Sequence, residues 1–146
     1  MAVWCITMTP DNFAKTAELG WRVQGLKSRR EKTARRIQPS DKLVFYISKA
    51  QAFGATVEVA SDMFEDHELI WTSTPDEDYP WRFEIVPEVV VEDSQAWVPA
   101  EDLYDDLAFV KKWPREHWKL AFQGNVREWP WEDYEVVTAA LQQAAG

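Results

Sequence analysis

Gln38-Pro39-Ser40-Asp41-Lys42-Leu43-Val44-Phe45-Tyr46-Ile47-Ser48 is the stretch on which the fold turns. Its first four residues are a turn signal, and Leu43 to Ile47 then run apolar without a break. A strand with one face in water alternates polar and apolar residues, whereas one that is apolar throughout is covered on both faces. Residues 42 to 48 are therefore expected to form a central strand.

On its N-terminal side, residues 2 to 8 have the same character, with Val3, Cys5 and Thr7 on one face and Trp4, Ile6 and Met8 on the other. A helix start follows: Thr9 suits the N-cap, Pro10 the first helical position and Asp11 the positive helix end, and Gly20 suits a left-handed stop. Residues 26 to 37 read as a basic helical stretch. On the C-terminal side, residues 54 to 60 form a second β segment that pairs with the central strand as a hairpin. An acidic loop over 61 to 79 carries Trp71. From 81 to 91 the pattern alternates, with Trp81, Phe83, Ile85, Val89 and Val91 facing in and Arg82, Glu84, Glu88 and Glu92 facing out. Pro87 marks an edge or a bulge. Short helices over 100 to 106 and 116 to 122, a short strand over 126 to 129 and a closing helix from 130 to 143 complete the chain. This order predicts an α+β fold, a mostly antiparallel sheet of roughly five or six strands curled into a small barrel with peripheral helices.

The 146 residues suit one domain over 1 to 146. No run of about eighteen apolar residues and no signal-like leader is present, which predicts a cytoplasmic protein with no membrane partner. Cys5 is the single cysteine, so neither an internal disulfide nor a Cys-based zinc cluster is expected. The formal charge is -9, yet Lys27, Arg29, Arg30, Lys32, Arg35 and Arg36 lie close together with only Glu31 among them, while the rest of the chain holds 10 basic residues against 24 acidic ones. Such a basic island is either a solvated helix face or a local phosphate-binding patch on an acidic body.

Catalytic signatures are lacking. Cys5 sits in an apolar strand, where it reads as a small buried hydrophobe rather than a thiolate. His67 lies among Asp62, Glu65, Asp66 and Glu68 and reads as a solvated polar loop, not a metal site. The glycines at 20, 25, 54, 124 and 146 form no phosphate-binding loop. No cofactor is called for, and a non-catalytic binding protein is the expectation. The nine tryptophans, at 4, 21, 71, 81, 97, 113, 118, 129 and 131, serve mostly as packing, with two or three left for a ligand.

Several segments in order resemble the EVE domain, a member of the PUA-like superfamily that includes the YTH readers of methylated adenine in RNA. They are Val3-Trp4-Cys5-Ile6, Thr9-Pro10-Asp11-Asn12-Phe13, Gly20-Trp21-Arg22-Val23, the Ile37 to Tyr46 strand entry, Ala52-Phe53-Gly54-Ala55, Tyr79-Pro80-Trp81-Arg82-Phe83, Phe109-Val110-Lys111-Lys112 and Gln123-Gly124-Asn125-Val126. Arg22 and Ser40 replace small residues of the family pattern. The resemblance implies a PUA-like barrel whose pocket receives a flipped, modified base of DNA or RNA. By position it implies Trp21 as the first wall of a tryptophan cage, with Trp71 and Trp81 as further walls; the sequence leaves open which of the latter two faces the pocket.

On this reading Asn12 and Ser48 are candidates to pair with the base edge, and Lys27, Arg29, Arg30, Arg35 and Arg36 to bind flanking phosphates. The partners expected are a nucleic acid carrying a modified, methylated base and an effector protein. The alternative is a sensor for a free nucleoside or another small flat or cationic metabolite, held by stacking and cation–π attraction. An enzyme of the related ASCH type is disfavoured, because no Gly-x-Lys-x-x-Glu-x-Arg element is present.

Overall fold

The computed structural model describes residues 1 to 145. Six strands follow one another across the main sheet. They are β1 (Val3–Met8), β2 (Val23–Leu26), β3 (Lys42–Ile47), β4 (Ala52–Val59), β6 (Trp81–Val90) and β8 (Val126–Trp129), in the order β2-β6-β4-β3-β1-β8. Two further strands of two residues, β5 (Phe64–Glu65) and β7 (Val98–Pro99), pair with β6 and β4. Every pairing is antiparallel except β1 with β3. The sheet curls into a half-barrel, as the order of elements predicts. Helices α1 (Pro10–Glu18), α2 (Glu31–Ala34) and α3 (Trp131–Ala145) and several 3₁₀ turns surround it.

The uninterrupted apolar run is explained by two cores on opposite faces of the sheet. Leu43, Phe45 and Ile47 of β3 join Trp4, Ile6, Phe83 and Ile85 inside the barrel. Val44 and Tyr46 face outward with Val3, Cys5, Phe53 and Trp129 against the 3₁₀ turns and α3. Each strand next to β3 therefore needs apolar residues at successive positions, and β1 and β4 have them.

The first helix starts and stops as its residues dictate. Thr9 Oγ1 accepts from the Asn12 N–H (3.2 Å), and at the other end the Gly20 and Trp21 N–H groups donate to the Ala17 and Thr16 carbonyls. This is a Schellman stop, with Gly20 at φ +73°. Of the edge or bulge expected at Pro87, the structure has a bulge. Thr56 pairs with Val89 and Val57 with Pro87, leaving Glu88 as the extra residue. Its carboxylate accepts from the Lys42 Nζ (2.5 Å) and the Tyr134 hydroxyl (2.7 Å).

Three expectations are corrected. The helix over 26 to 37 is divided: Leu26 ends β2 opposite Trp81, Ser28–Arg30 is a 3₁₀ turn, and only Glu31–Ala34 is α-helical. Strand pairing buries Leu26 completely, which outweighs local helix propensity. The segments Ala100–Asp106 and Arg115–Phe122 are 3₁₀ rather than α, the second kinked at His117. Arg82, expected on the water face of β6, is 1% exposed. The loop after β5 folds over it, and its guanidinium donates to the carbonyls of Tyr79 (3.0 Å), Asp78 (3.0 Å) and Glu68.

Candidate ligand cavity at the barrel mouth

Because β1 and β3 are parallel, their C-terminal ends lie at the same mouth of the barrel. A cavity of about 210 Å³ opens there. Ile6, Thr7, Met8 and Thr9 at the end of β1 form one side, with Asn12 of α1 and Ser48 just after β3. Gln24 and Lys27 of the β2 segment, followed by Arg29, form another. Trp71, Thr72, Ser73 and Tyr79 descend from the long loop, and Gly124 and Asn125 close the ring.

Trp71 is fixed at every edge. It is 0% exposed, its Nε1 donates to Thr16 Oγ1 (2.9 Å), and Thr16 donates in turn to Gln24 Oε1 (2.7 Å). The Arg82 guanidinium lies 5.2 Å from the ring centroid, so at most one face of the indole is left for a ligand. Gly25 is required beneath it, because a Cβ there would lie 2.7 Å from Trp71 Cζ3 and from the Tyr79 carbonyl oxygen. Asn12 fastens this loop to α1: its Nδ2 donates to the Thr72 carbonyl (3.0 Å) and to the Tyr79 hydroxyl (3.3 Å), and its Oδ1 accepts from the Thr72 N–H (3.0 Å). Ser48 spends its backbone N–H on the Met8 carbonyl (2.8 Å), so its hydroxyl is the group that can meet a ligand.

The structure brings Asn12, Ser48, Trp71, Lys27 and Arg29 to the cavity and leaves Trp21 and Trp81 off its wall. Trp21 is 5% exposed inside the barrel, packed 5.0 Å from Phe13 and 5.8 Å from Phe45 between centroids, with its Nε1 donating to Glu92 (3.0 Å). Its left-handed backbone (φ 58°), set by the helix stop, turns the ring into the core. The half-buried Trp81 donates from Nε1 to the Ser28 carbonyl (2.8 Å), supporting the basic turn from outside. The three-ring cage is thus reduced at this cavity to one indole and the Tyr79 phenol, 6.2 Å apart.

The basic island divides as well. Arg35 pairs with Glu31 (2.5 Å) and Arg36 with Glu128 (2.7 Å), and neither lines the cavity. Arg30 lies against Gly124. Gln24, Tyr79 and Asn125 were not singled out by sequence reasoning, although each stands in or beside a stretch that carries the family resemblance.

Elsewhere, burial pushes the Cys5 thiol well above its ordinary value, so it stays protonated inside the sheet. His67 is more than a solvated loop residue: its two ring nitrogens lie 2.6 Å from a Glu65 oxygen and 2.5 Å from an Asp78 oxygen. These two carboxylates hold its pKa above 6.5. The imidazolium ties β5 to the loop bearing Trp71. Because the folded pKa is raised, this tie is fully present below about pH 6.5 and is lost as the pH rises through the folded value. An NMR titration of His67 is expected to give a midpoint above 6.5 that falls in Glu65→Gln and in Asp78→Asn, and an unchanged midpoint would show that neither contact persists in solution.

The family model for the EVE domain matches residues 2 to 139. The chain belongs to the EVE domain family. A UPF0310 protein of Pyrococcus abyssi is 32% identical over 97% of this EVE domain and 100% of its own length, and one of Pyrococcus horikoshii is 28% identical over 82% and 86%. Among solved structures the Mmi1 YTH domain superposes with a TM-score of 0.69 at 9% identity, covering 99% of this EVE domain and 98% of its own chain. The YTH domain of Zygosaccharomyces rouxii MRB1, solved in complex with N6-methyladenosine RNA, gives 0.62 at 17% identity, covering 98% and 86%. At these identities the structural likeness carries the fold. No helix among the described residues is long and apolar enough to cross a membrane.

Proposed function

We propose that this EVE domain is a non-catalytic reader of nucleic acid that takes one flipped, modified base into the cavity at the barrel mouth. The observation that carries the reading is the meeting of Trp71 and Tyr79 with Lys27 and Arg29 around one cavity, aromatic rings for a base beside cations for its phosphates. The likeness to a YTH domain solved with N6-methyladenosine RNA supports it. So does the cavity size: about 210 Å³ falls below the range of about 300–1,000 Å³ for drug-sized ligands and suits one small planar group.

Extrusion of a base costs a few kcal/mol of stacking, and an aromatic face returns about 1–3 kcal/mol. Trp71 is 0% exposed with Arg82 over one face, so a base reaches the ring only where its loop yields, and stacking alone does little more than offset the cost of extrusion. A methyl group adds on the order of 0.8 kcal/mol, about fourfold in affinity. Selectivity therefore rests on groups that can pair with the base edge: the Ser48 hydroxyl, the free N–H of Gln24 and backbone atoms at the end of β1. Asn12 acts mainly by holding Thr72 and Tyr79 in place.

Calorimetric titration of short single-stranded RNA and DNA, each carrying one modified base or its unmodified parent, tests the reading at two salt concentrations. The expected result is tighter binding of one modified form, with affinity falling as salt rises. Binding of the free nucleoside as tightly as the oligonucleotide, without salt dependence, would replace the reader with a small-molecule sensor.

A further inference from the structure

In a chain with 25 acidic and 16 basic residues, a cluster of cations without carboxylate partners is informative. Lys15, Arg35, Arg36, Lys42, Arg82 and Arg115 all have one within 4 Å. Among the described residues ten cations have none; what sets Lys27, Arg29, Arg30 and Arg127 apart is that the 27 to 30 turn, the 123 to 125 turn and the start of β8, which carry them, meet beside the cavity mouth. The Lys27 N–H donates to Asn125 Oδ1 (2.9 Å), lacing the 27 to 30 turn to the 123 to 125 turn. Arg30 reaches the latter, its Nη2 2.8 Å from where a Cβ on Gly124 would stand, and the Gly124 φ of +87° favours glycine at this turn. From the other side Arg127 Nε donates to the Gln123 carbonyl (2.8 Å), with its guanidinium 5.4 Å from the centroid of the Trp113 ring. Glu77, the acid nearest the turn in these contacts, is already bound by the Ser28 N–H and hydroxyl.

Arg30 Nε is buried with no hydrogen-bond partner. Burial first, and then repulsion from Arg29 and Arg127, lower its pKa. The fold thus gathers mutually repelling guanidinium groups where a ligand anion could neutralise them.

We propose that Arg30 and Arg127, on either side of the Gln123-Gly124 turn, continue Lys27 and Arg29 into a phosphodiester-binding track for the nucleotides next to the flipped one. The track rests on the reader proposed above, but it binds backbone rather than base. It runs from the cavity over the 123 to 124 turn to Arg127 at the start of β8, whereas Arg35 and Arg36 are engaged by the carboxylates of Glu31 and Glu128.

The test uses fluorescence anisotropy of the full chain with labelled mixed-sequence single-stranded RNA and an abasic oligonucleotide of equal length, with inorganic phosphate as competitor and a neutral nucleoside followed by calorimetry. Arg30→Gln and Arg127→Gln should each weaken both oligonucleotides by about tenfold, near the lower end for a charge-assisted bond. Each should also reduce the slope of log affinity against log salt by about 0.7 and leave the nucleoside unchanged. Arg35→Gln should cost less than twofold. An equal loss for Arg35→Gln would reduce the effect to bulk charge and overturn the track, as would unaltered affinity in both track variants. Phosphate that binds where neither oligonucleotide does would overturn it in favour of a free-anion site. If RNA binds no more tightly than the abasic probe while both depend on Arg30 and Arg127, the base pocket fails and the track stands. Thermal melts check folding, and should Arg30→Gln unfold, the half-exposed Arg127 carries the test alone.

Discussion

Trp71→Ala is expected to lower the melting temperature by about 6–20 °C, because emptying a fully buried indole site costs about 3–5 kcal/mol and a domain of this size shifts by about 2–4 °C per kcal/mol. The environment of Trp71 allows little collapse. Gly25 packs against the ring, Arg82 is over one face, and Thr16 holds the indole N–H. The hole also leaves the Thr16 hydroxyl without its donor. Below the new melting temperature, the variant should bind a base-bearing oligonucleotide more weakly by about 5- to 150-fold, the equivalent of about 1–3 kcal/mol of lost stacking. An abasic oligonucleotide should bind as before. Scanning calorimetry and anisotropy read the two effects separately, and equal losses with both probes would make Trp71 a purely structural residue.

The second large effect is expected at Arg82. Arg82→Met keeps much of the side-chain volume but removes the donors to the Glu68, Asp78 and Tyr79 carbonyls and the contact with Trp71. Each orphaned acceptor that stays buried costs about 1–3 kcal/mol, so a loss of about 2–4 kcal/mol is expected, with some acceptors recovered by water. The loss should be local before it is global. Hydrogen exchange should rise first over residues 66 to 79, since Arg82 is the group that gathers that loop, while β1, β3 and β4 keep their protection. Uniform loss of protection along the chain would show instead that Arg82 supports the whole barrel.

The fold was legible where the physics is local or where periodicity reports burial. The cap at Thr9, the stop at Gly20, the double-sided burial of β1 and β3, the bulge at Pro87 and the strand at Val126–Trp129 each follow from a few neighbouring residues. The short β2, β5 and β7 were not legible as strands. The two residues of β5 and of β7 carry no pattern, Leu26 of β2 reads as part of the basic run that follows it, and the pairing of all three is decided by β6 or β4 rather than by themselves. Arg82 shows the same limit from the other side: the alternation of β6 places it outward, but the outward side is not water once the loop lies over it.

The candidate site was legible in composition more than in assembly. Excess tryptophan and the basic island pointed to an aromatic and cationic surface, and the family resemblance pointed to a pocket in a barrel. Which ring reaches that mouth depends on where three separate turns send their side chains. The left-handed backbone at Trp21 sends its ring into the core, while the Arg82 clamp and the Asn12 bonds bring Trp71 to the cavity. The sequence by itself determined the central apolar strand around Phe45, its covering on both faces, and the local charge at residues 27 to 36. Only the tertiary structure decided that Trp71 rather than Trp21 meets the cavity, and that Arg30 stands with the distant Arg127 while Arg35 and Arg36 are paired away. Periodicity and caps are properties of a few consecutive residues, whereas a cavity wall is made by segments as far apart as 6 and 125, whose meeting is set by the packing of the whole sheet.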